Sequence, residues 1–516
     1  MEQSIKQVVI VGGGSAGWLT AALIAAEHRS DRPGNLQVTL IESPDVPAIG
    51  VGEGTWPSMR DTLRRVGVSE TEFFRQCDAS FKQGTRFRGW VDGDIGHHYD
   101  HPFVLPEGYT EANLVAQWRR QHARRPFAEV VCFQSTLCNA GLAPKQPQTP
   151  EFAAVANYGY HLDAGKFGVF LRQHCIDKLG VRHVLDHMDG VNAADNGDIA
   201  SLSTRLNGLL EADLFIDCTG MASLLLGQHY GIPLRSEREV LFNDSALAIQ
   251  VPYPRDDTPI ASQTHSVAQK NGWIWDIGLP TRRGVGYVYS SAHTDDEGAR
   301  SELLAYLRAS GAPEELAEPR QLRFAPGYRE TLWHRNCVAV GLSSGFIEPL
   351  EASALALVEM SATMLAEQMP ATRADMVLVA ERFNRAFRYR WSRVIDFLKL
   401  HYVLSTRDDQ RYWREHREPG SIPDRLLEQL RLWRHQPPSR YDFSQIEEMF
   451  PSASYQYVLY GMGFEPAHAS ERGSDRPAVA EQFFRQAADL GARMARALPS
   501  NRTLIEHIHE VGLTRI

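Results

Sequence analysis

The chain has no long apolar run and few cysteines. No stretch of its 516 residues approaches the roughly 18–20 consecutive apolar residues that a membrane-spanning helix needs. The apolar run Val8–Val11 passes directly into glycines, without the charged segment and cleavage site of a signal peptide. The six cysteines are scattered and include no Cys-x-x-Cys pair, which argues against a disulfide framework or a zinc site. These absences predict a cytoplasmic protein with reduced thiols, no metal centre and no membrane partner.

An excess of positive charge is also missing. The 54 Lys and Arg residues are outnumbered by 63 Asp and Glu residues, which gives a formal net charge of −9. This balance argues against nucleic acid or an anionic membrane surface as the main partner. The composition is 43% hydrophobic and 23% charged, as in a globular protein with a large core. The length suits roughly three domains, which can be interleaved along the chain.

The beginning of the chain has the pattern of a dinucleotide-binding βαβ unit. A strand is predicted over Gln7–Val11, followed by Gly-x-Gly-x-x-Gly at positions 12–17 and a helix over Trp18–Glu27. A second strand, predicted over Leu36–Ile41, leads into Glu42. The glycines allow the pyrophosphate to approach the helix N-terminus, and a carboxylate at this place meets the ribose. The first 42 residues therefore predict a dinucleotide site.

A second nucleotide fingerprint is absent from the sequence. The pair Gly284 and Gly286 lies inside a predicted strand, and the pair Gly461 and Gly463 lacks the spacing that should follow. The chain thus has no visible site for NAD(P)H. A bound flavin would have to be reduced by a separate protein.

The remaining pattern alternates between strands and helices. Predicted features are a glycine-rich loop over 47–56, a mainly helical stretch over 60–82, loops and short elements over 91–157, a helix over 167–179, a β-meander over 181–217, strands over 241–289 and 337–340, a helix over 354–369, and mostly helices from about 380, interrupted by a linker over 434–440.

Two tryptophans lie two residues apart between a turn signal at Asn271-Gly272 and Gly278. Alternation of this kind predicts a strand with Trp273 and Trp275 on one face. Two large side chains packed in a core would satisfy the pattern without any function. A functional role for the pair is favoured because the same chain begins with a nucleotide-binding fingerprint.

The sequence resembles the flavin-dependent halogenases of the tryptophan halogenase type, whose tryptophan box is similar to GWIWDI. The matching segments are VVIVGGGSAGW (8–18), LIES (40–43), IGVGEGTWPS (49–58), SFKQG (80–84), DLFIDCTG (213–220), GWIWDI (272–277), GYVYSS (286–291), GLSSGFIEPLEASAL (341–355) and HYVLSTRDD (401–409). The resemblance covers nearly the whole chain. It implies an α/β (α+β) fold: a Rossmann-like three-layer FAD module of the p-hydroxybenzoate-hydroxylase type, with an interleaved substrate region and a mostly helical C-terminal part.

The resemblance also implies a division of the chain. We expect the FAD module at 1–90, 158–235 and 336–380, the last part carrying a catalytic glutamate. A substrate-region insertion is expected at 91–157, a β-rich tunnel region with the tryptophan box at 236–335, and a helical substrate-binding part at 381–516.

Two catalytic residues are carried over from the family. Lys82 matches the lysine that holds hypohalous acid and aims the halogen at one carbon, and lysine changes protonation readily on burial. Glu351 matches the carboxylate that stabilises the cationic arenium intermediate and helps to remove its proton. Without the resemblance, Lys82 would be a solvated helix lysine and Glu351 a carboxylate favoured by a helix N-terminus.

Further positions match cofactor, halide and substrate sites of the family. The predicted FAD contacts are Gly12, Gly13, Gly14, Ala16, Gly17, Glu42, Ser43, Gly54, Thr55, Met188, Leu342 and Leu355. Backbone amides of Ser353 and Ala354 are predicted to hold halide, since amides near a helix start suit an anion. The predicted substrate and tunnel residues are His101, Phe103, Trp273, Trp275, Ile277, Phe346 and Pro349.

The chain departs from the family pattern at three places. Ala352 replaces the Ser after the carboxylate, Ala354 replaces a Gly, and Gly278 replaces the Pro of the tryptophan box. The segment 441–455 is also short where the tryptophan enzymes carry a longer aromatic insertion. These departures concern the substrate more than the halogenation step, and they predict an open pocket that accepts an indole or an indole-bearing molecule better than free tryptophan.

The predicted function is that of an FADH2-dependent halogenase. Reduced FAD comes from a separate NAD(P)H-dependent flavin reductase and, with O2 and bromide or chloride, gives hypohalous acid for transfer to an indole-type ring. The protein itself is expected to be a monomer or homodimer. Two alternatives are an FAD-dependent aromatic monooxygenase (hydroxylase or epoxidase) and a non-catalytic flavin-binding protein. The first would need neither Lys82 nor the tryptophan pair, and retention of both Lys82 and Glu351 argues against the second.

Overall fold

The computed structural model describes residues 4–46, 52–467 and 475–515. The predicted glycine-rich loop at 47–56 therefore lies partly outside the described residues. All six cysteines are free thiols. Within the described ranges, no helix combines the length and hydrophobicity of a bilayer span. Nor do three or more His, Cys, Asp or Glu side chains of the described residues gather into a group that could hold a metal ion.

Strands and helices alternate along most of the chain. The strands are β1 Gln7–Val11, β2 Gln37–Glu42, β3 Gly52–Gly54, β4 Ser80–Lys82, β5 Gly84–Arg88, β6 His98–Pro102, β7 Gly159–Asp163, β8 Arg182–Leu185, β9 Met188–Ala193, β10 Ile199–Thr204, β11 Gly208–Glu211, β12 Leu214–Asp217, β13 Arg235–Ser236, β14 Ser245–Pro252, β15 Thr264–Ala268, β16 Gly272–Gly278, β17 Arg282–Tyr289, β18 Arg320–Arg323, β19 Gly327–Tyr328, β20 Trp333–His334, β21 Cys337–Ala339 and β22 Gly345–Phe346. The α-helices are α1 Ser15–His28, α2 Ser58–Arg65, α3 Glu70–Cys77, α4 Leu114–Gln121, α5 Phe127–Val131, α6 Gln134–Asn139, α7 Ala164–Lys178, α8 Asp296–Ala309, α9 Ser353–Glu367, α10 Asp375–Val403, α11 Arg411–Glu415, α12 Asp424–Trp433, α13 Ser452–Gly461, α14 Pro477–Ala497 and α15 Asn501–Glu510.

The chain forms two compact units, each assembled from three separate segments. The first unit comprises residues 1–79, 162–237 and 324–391, and the second comprises 80–161, 238–323 and 392–516. Both units interleave along the sequence. The roles that the sequence assigns to the separate segments stay predictions.

A six-stranded sheet forms the centre of the first unit, in the order β20-β21-β12-β1-β2-β8. Strands β21, β12, β1, β2 and β8 are parallel, and β20 adds an antiparallel edge. Strand β1 is buried along Val8–Val11, which suits a central parallel strand covered on both faces. Helix α1 packs against α7 and α9. The predicted βαβ unit is confirmed, with its helix beginning at Ser15 instead of Trp18.

The predicted β-meander over 181–217 is correct only in its middle. Strands β9, β10 and β11 form the antiparallel three-stranded meander. Strand β8 instead pairs in parallel with β2, and β12 pairs in parallel with β1. The local alternation of apolar residues does not distinguish a hairpin strand from one that adds to a distant sheet edge.

The second unit has a seven-stranded sheet in the order β18-β14-β17-β16-β15-β5-β6. Its neighbours are antiparallel except for β15 and β5, which are parallel. Helix α8 packs on one face through a core that includes Ile274, Tyr287 and Leu303. Helices dominate the rest of this unit beyond residue 392, as the sequence predicts.

Candidate active site

The glycine motif lies at the carboxyl end of β1, in the first unit. A Cβ at Gly12 would lie 2.2 Å from the carbonyl oxygen of Cys218, and one at Gly17 would lie 1.9 Å from the oxygen of Gly12. Gly12 also has a φ of +111°, which L side chains rarely adopt. These positions accept only glycine because strand, turn and helix approach each other so closely.

The next two glycines face different surroundings. A Cβ at Gly13 would lie 1.5 Å from Oε2 of Glu42, whereas no described atom lies within 4 Å of a Cβ position on Gly14. Gly14 is the N-cap residue of α1 and supplies no side-chain hydrogen bond to the helix. The arrangement leaves room beside the helix N-terminus, where the backbone amides attract an anionic group such as a pyrophosphate.

Other predicted cofactor residues follow the carboxyl ends of neighbouring strands in the same sheet. Glu42 ends β2, where its Oε1 lies 2.8 Å from Nε2 of His183. Met188 comes shortly after β8, and Leu342 comes shortly after β21. A Cβ on Gly341 would lie 2.7 Å from the Cβ of Ala16, which places the turn after β21 against the glycine motif. This edge of a doubly wound sheet is where dinucleotides bind.

Glu53 is a titratable group beside the predicted flavin contacts Gly54 and Thr55. It lies on the short strand β3. Removal from water raises the pKa of its carboxyl to about 7. The sequence did not identify Glu53 as a site residue, although it lies inside the segment that matches the family.

Glu351 lies in a turn immediately before α9. Its side chain is 7% exposed, and its backbone has φ 62° and ψ 9°. Ala352 follows with φ 55° and ψ 38°, and α9 then begins at Ser353. Because Ala352 cannot cap the helix through its side chain, the amides of the first turn, including those of Ser353 and Ala354, lack a side-chain acceptor from the N-cap residue.

Three more predicted site residues lie within a few positions of this turn in the sequence: Phe346, Pro349 and Leu355. Phe346 on β22 stacks edge-on against Phe324, with ring centroids 4.9 Å apart. The Pro349 carbonyl accepts a hydrogen bond from the Ala352 amide at 3.0 Å. Leu355, in the first turn of α9, is 5% exposed.

Lys82 belongs to the second unit and lies on a strand, so the predicted helix over 60–82 is wrong at its end. Helices α2 and α3 stop at Arg65 and Cys77, and β4 then pairs antiparallel with β7. Lys82 pairs with Gly159 and is 1% exposed, which excludes the solvated-lysine alternative. Burying an ammonium is costly unless it is compensated, and this favours a functional reason for the lysine.

Phe103 lies close to Lys82 in the second unit, and His101 pairs with Thr85 on the neighbouring strand. The Lys82 ammonium is 5.5 Å from the centroid of the Phe103 ring, and the Phe103 amide donates to the carbonyl of Gln83. His101 is buried, with its Nε2 2.8 Å from Oγ of Ser454. The structure thus brings Lys82 and Phe103 together and pairs His101 with Ser454 from α13.

A further histidine faces Lys82 across the strand pair. Ser80 pairs with His161 in the register of β4 and β7, so His161 and Lys82 are diagonal neighbours on one face. Burial and the Lys82 charge hold the pKa of His161 well below its usual value. Nε2 of His161 lies 2.8 Å from Oγ1 of Thr264, whereas its Nδ1 has no hydrogen-bond partner within the described part of the chain. The sequence missed His161 because it lies about 80 residues from Lys82.

Trp273 and Trp275 lie on one face of β16, as predicted. Their ring centroids are 6.4 Å apart, and the two side chains are 1% and 8% exposed. Trp273 also packs against Trp90 at 6.3 Å. Trp275 covers Gly286 on the neighbouring strand, and Ile277 on the same face is 5% exposed. The pair is buried, and a role of this pair beyond the core stays a prediction.

Comparison with known proteins gives a consistent result. Residues 7–477 match the family model described as tryptophan halogenase. The tryptophan halogenase of Shewanella frigidimarina has 50% sequence identity and a TM-score of 0.95, with 99% of each chain covered. A flavin-dependent halogenase of Xanthomonas campestris has 32% identity and a TM-score of 0.87, covering 98% of this chain and 99% of that one. A tryptophan 6-halogenase of Streptomyces toxytricini is 32% identical over 96% of both chains. These matches favour a halogenase over the monooxygenase and non-catalytic alternatives.

Proposed function

We propose that this chain, which belongs to the tryptophan halogenase family of flavin-dependent halogenases, halogenates an indole-type substrate through Lys82 and Glu351. The observation that carries the proposal is the full burial of Lys82 beside Phe103. Burying a lysine charge is expensive, and this cost, together with the family match, supports a chemical task for Lys82.

The first unit offers the site for FAD. Gly12, Gly13 and Gly17 have no room for a side chain, and the open space at Gly14 adjoins the N-terminus of α1. We assign the pyrophosphate to this helix start and the ribose to Glu42. Reduced FAD held here would supply two electrons to O2, and the O2 so activated would oxidise the halide to the level of hypohalous acid.

We assign the halide to the start of α9. The amides of Ser353 and Ala354 belong to the first turn, where helix amides are unsatisfied and the helix dipole favours an anion. The Ala352 side chain offers no oxygen that would compete with the halide for these amides. Backbone binding of this kind accounts for a halide site that tolerates Ala354 in place of glycine.

Lys82 receives and directs the halogen in the proposed reaction. Its ammonium donates a hydrogen bond to the oxygen of hypohalous acid, which makes that oxygen a better leaving group as the halogen reaches the ring carbon. As the oxygen–halogen bond breaks, the oxygen takes a proton from the ammonium and departs as water, which leaves Lys82 as a neutral amine. Glu351 stabilises the positive charge that develops on the ring and accepts the proton that the carbon loses.

We propose an indole or a larger indole-bearing molecule as the substrate. Phe103 provides a flat surface next to Lys82, His101 lies two residues before it, and aromatic rings stack on such surfaces. Several relatives are named for tryptophan, but segment 441–455 of this chain offers little to bind an amino-acid head group. A separate NAD(P)H-dependent flavin reductase completes the proposed system, and the six free thiols suit a cytoplasmic setting.

The deciding experiment is product analysis with reduced FAD, O2 and bromide over a panel of indoles and phenols. We expect a bromine isotope pattern on an electron-rich indole carbon, and none for Lys82→Ala at unchanged FAD affinity. Lys270→Ala is the matched control, because Lys270 is exposed on a loop of the same unit. A hydroxylated product without halogen would contradict the proposal.

A further inference from the structure

The backbone at Glu351 and Ala352 has an unusual conformation. Both residues have positive φ, 62° and 55°, although neither is glycine. The left-handed region is unfavourable for L residues, and two in succession persist only where the surroundings hold them in place. The Ala352 amide donates to Pro349 at 3.0 Å, which closes the turn on its N-terminal side.

Trp56 holds the same turn from a distant segment. Its indole Nε1 donates to the carbonyl oxygen of Glu351 at 2.8 Å, across 295 residues of sequence. The bond reaches the peptide group between the two left-handed residues. Rotation of either residue out of the left-handed region would turn this carbonyl away from the indole.

The segment that carries Trp56 is itself anchored to α9. Helix α2 begins two residues after Trp56, and its Thr62 hydroxyl donates to Oε2 of Glu359 at 2.7 Å. The Ser58 hydroxyl donates to Oε1 of the same carboxyl at 3.3 Å. Since Glu359 lies on the helix that follows Glu351, Trp56 and its target are fixed to a common support.

We propose that Trp56 is a positioning residue for Glu351: its indole N–H holds the Glu351–Ala352 peptide in the left-handed turn that fixes where the Glu351 side chain leaves the backbone. This inference depends on the catalytic role proposed for Glu351. It assigns to Trp56 a task in placing Glu351 for ring halogenation, separate from FAD binding.

The test compares Trp56→Phe with Trp333→Phe. Trp333 lies in the same unit and also donates its Nε1 to a backbone carbonyl, that of Arg335 at 3.1 Å, so it is a matched control. Losing one hydrogen bond of this kind corresponds to about a three- to ten-fold effect. We expect Trp56→Phe to lower kcat for ring halogenation by that factor, with KM for FAD unchanged and more hypohalous acid recovered by a soluble trap.

A second substitution separates backbone positioning from general loss of stability. Glycine adopts the left-handed conformation readily, so Ala352→Gly should hold the turn without the indole. We expect the double variant Trp56→Phe with Ala352→Gly to recover most of the lost kcat. If Trp56→Phe does not fold, benzothienylalanine at position 56 removes only the N–H and keeps the shape of the ring.

The outcomes distinguish the inference from the function on which it rests. Full activity of Trp56→Phe, an equal loss in Trp333→Phe, or no rescue by Ala352→Gly would overturn the role of Trp56. Glu351→Gln tests the underlying proposal separately. Unchanged turnover of Glu351→Gln would remove Glu351 from the reaction and the inference with it.

Discussion

The Ser80 hydroxyl donates a hydrogen bond of 2.5 Å to the carbonyl oxygen of Gly278. Ser80 lies two residues before Lys82, and Gly278 ends the strand that carries Trp273 and Trp275. Both partners of this bond are in the second unit and Ser80 is fully buried. The strand that presents the lysine is thereby tied to the strand that presents the tryptophans.

Removing the Ser80 hydroxyl should weaken the second unit. Ser80→Ala leaves the Gly278 carbonyl buried without this donor, which costs about 1–3 kcal/mol. Denaturant unfolding of the variant measures the loss. Ser291→Ala, at a hydroxyl that bonds to Asp244 near the surface, is the comparison. Equal stability of Ser80→Ala and the wild type would contradict the assigned bond.

The charge of Lys82 should be visible at His161. The Lys82 ammonium is one of the causes that hold the pKa of His161 far below 6.5, after burial. Replacing Lys82 by Met removes the charge and keeps the bulk, so the pKa of His161 should rise while staying below 6.5. Histidine NMR over a pH series measures this shift.

His265 serves as the internal reference in the same spectra. Burial and the charges of Arg88, Arg86 and Arg283 lower its pKa to about 3, and Lys82 is not among these causes. We therefore expect the His265 resonance to be unaffected by Lys82→Met. A shift at His265 as large as that at His161 would show a general rearrangement instead of a local charge effect.

Glu359 should make the protein less stable as the pH rises. Burial raises the pKa of its carboxyl from 4.5 to about 8, so the native state keeps a proton that the unfolded chain releases. The contribution of protonated Glu359 to the free energy of unfolding is therefore complete below pH 4.5 and is lost as the pH rises to about 8. Each pH unit in this interval costs up to about 1.4 kcal/mol.

Glu359→Gln should remove this dependence, because glutamine resembles the protonated acid. Unfolding at pH 6 and pH 8.5 should show a smaller stability difference for the variant than for the wild type. Glu381→Gln, an exposed glutamate in the same unit, is the control and should behave like the wild type. Parallel pH curves for Glu359→Gln and the wild type would refute the assignment.

The tryptophan pair should act as bulk that separates an organic substrate from the flavin chemistry. The double variant Trp273→Ala with Trp275→Ala should release hypohalous acid or form some oxygenated product, measured by a soluble trap and mass spectrometry. Each Trp→Ala change in a core also costs about 3–5 kcal/mol. Ile274→Ala, on the opposite face of the same strand, controls for that loss.

The tryptophans act as a barrier only if the double variant releases more hypohalous acid or forms oxygenated product and Ile274→Ala does neither. If the double variant shows neither leakage nor oxygenation, the two indoles serve the core alone. Their depth in the second unit, at 1% and 8% exposure, is sufficient for a purely structural function.

Local patterns predicted the nucleotide fold well, because each signal lies within a few residues. Gly12, Gly13 and Gly17 are required by contacts with Cys218, Glu42 and the motif itself. Long-range pairing was not predictable in the same way. Asp78 ends α3 in the left-handed conformation, and Lys82 becomes a strand residue because β7, some 80 residues further on, is there to pair with it.

The same reason explains which site residues the sequence missed. Trp56 is separated from Glu351 by 295 residues, and no period or motif joins them. Ser454 meets His101 across 353 residues. Family resemblance predicts roles for Lys82 and Glu351 but carries no information on the residues that contact them in this chain, and only the folded arrangement identifies these.

Gly286 controls the space available to the Trp275 ring in the tryptophan box. A Cβ at this position would lie 2.1 Å from the Trp275 ring, so the indole occupies the volume that any other residue would claim. The conformation of Trp275 therefore requires glycine at position 286 on the neighbouring strand. A small library at position 286 would tilt the indole in graded steps without mutating it, and so offers engineers an indirect means of reshaping this part of the protein.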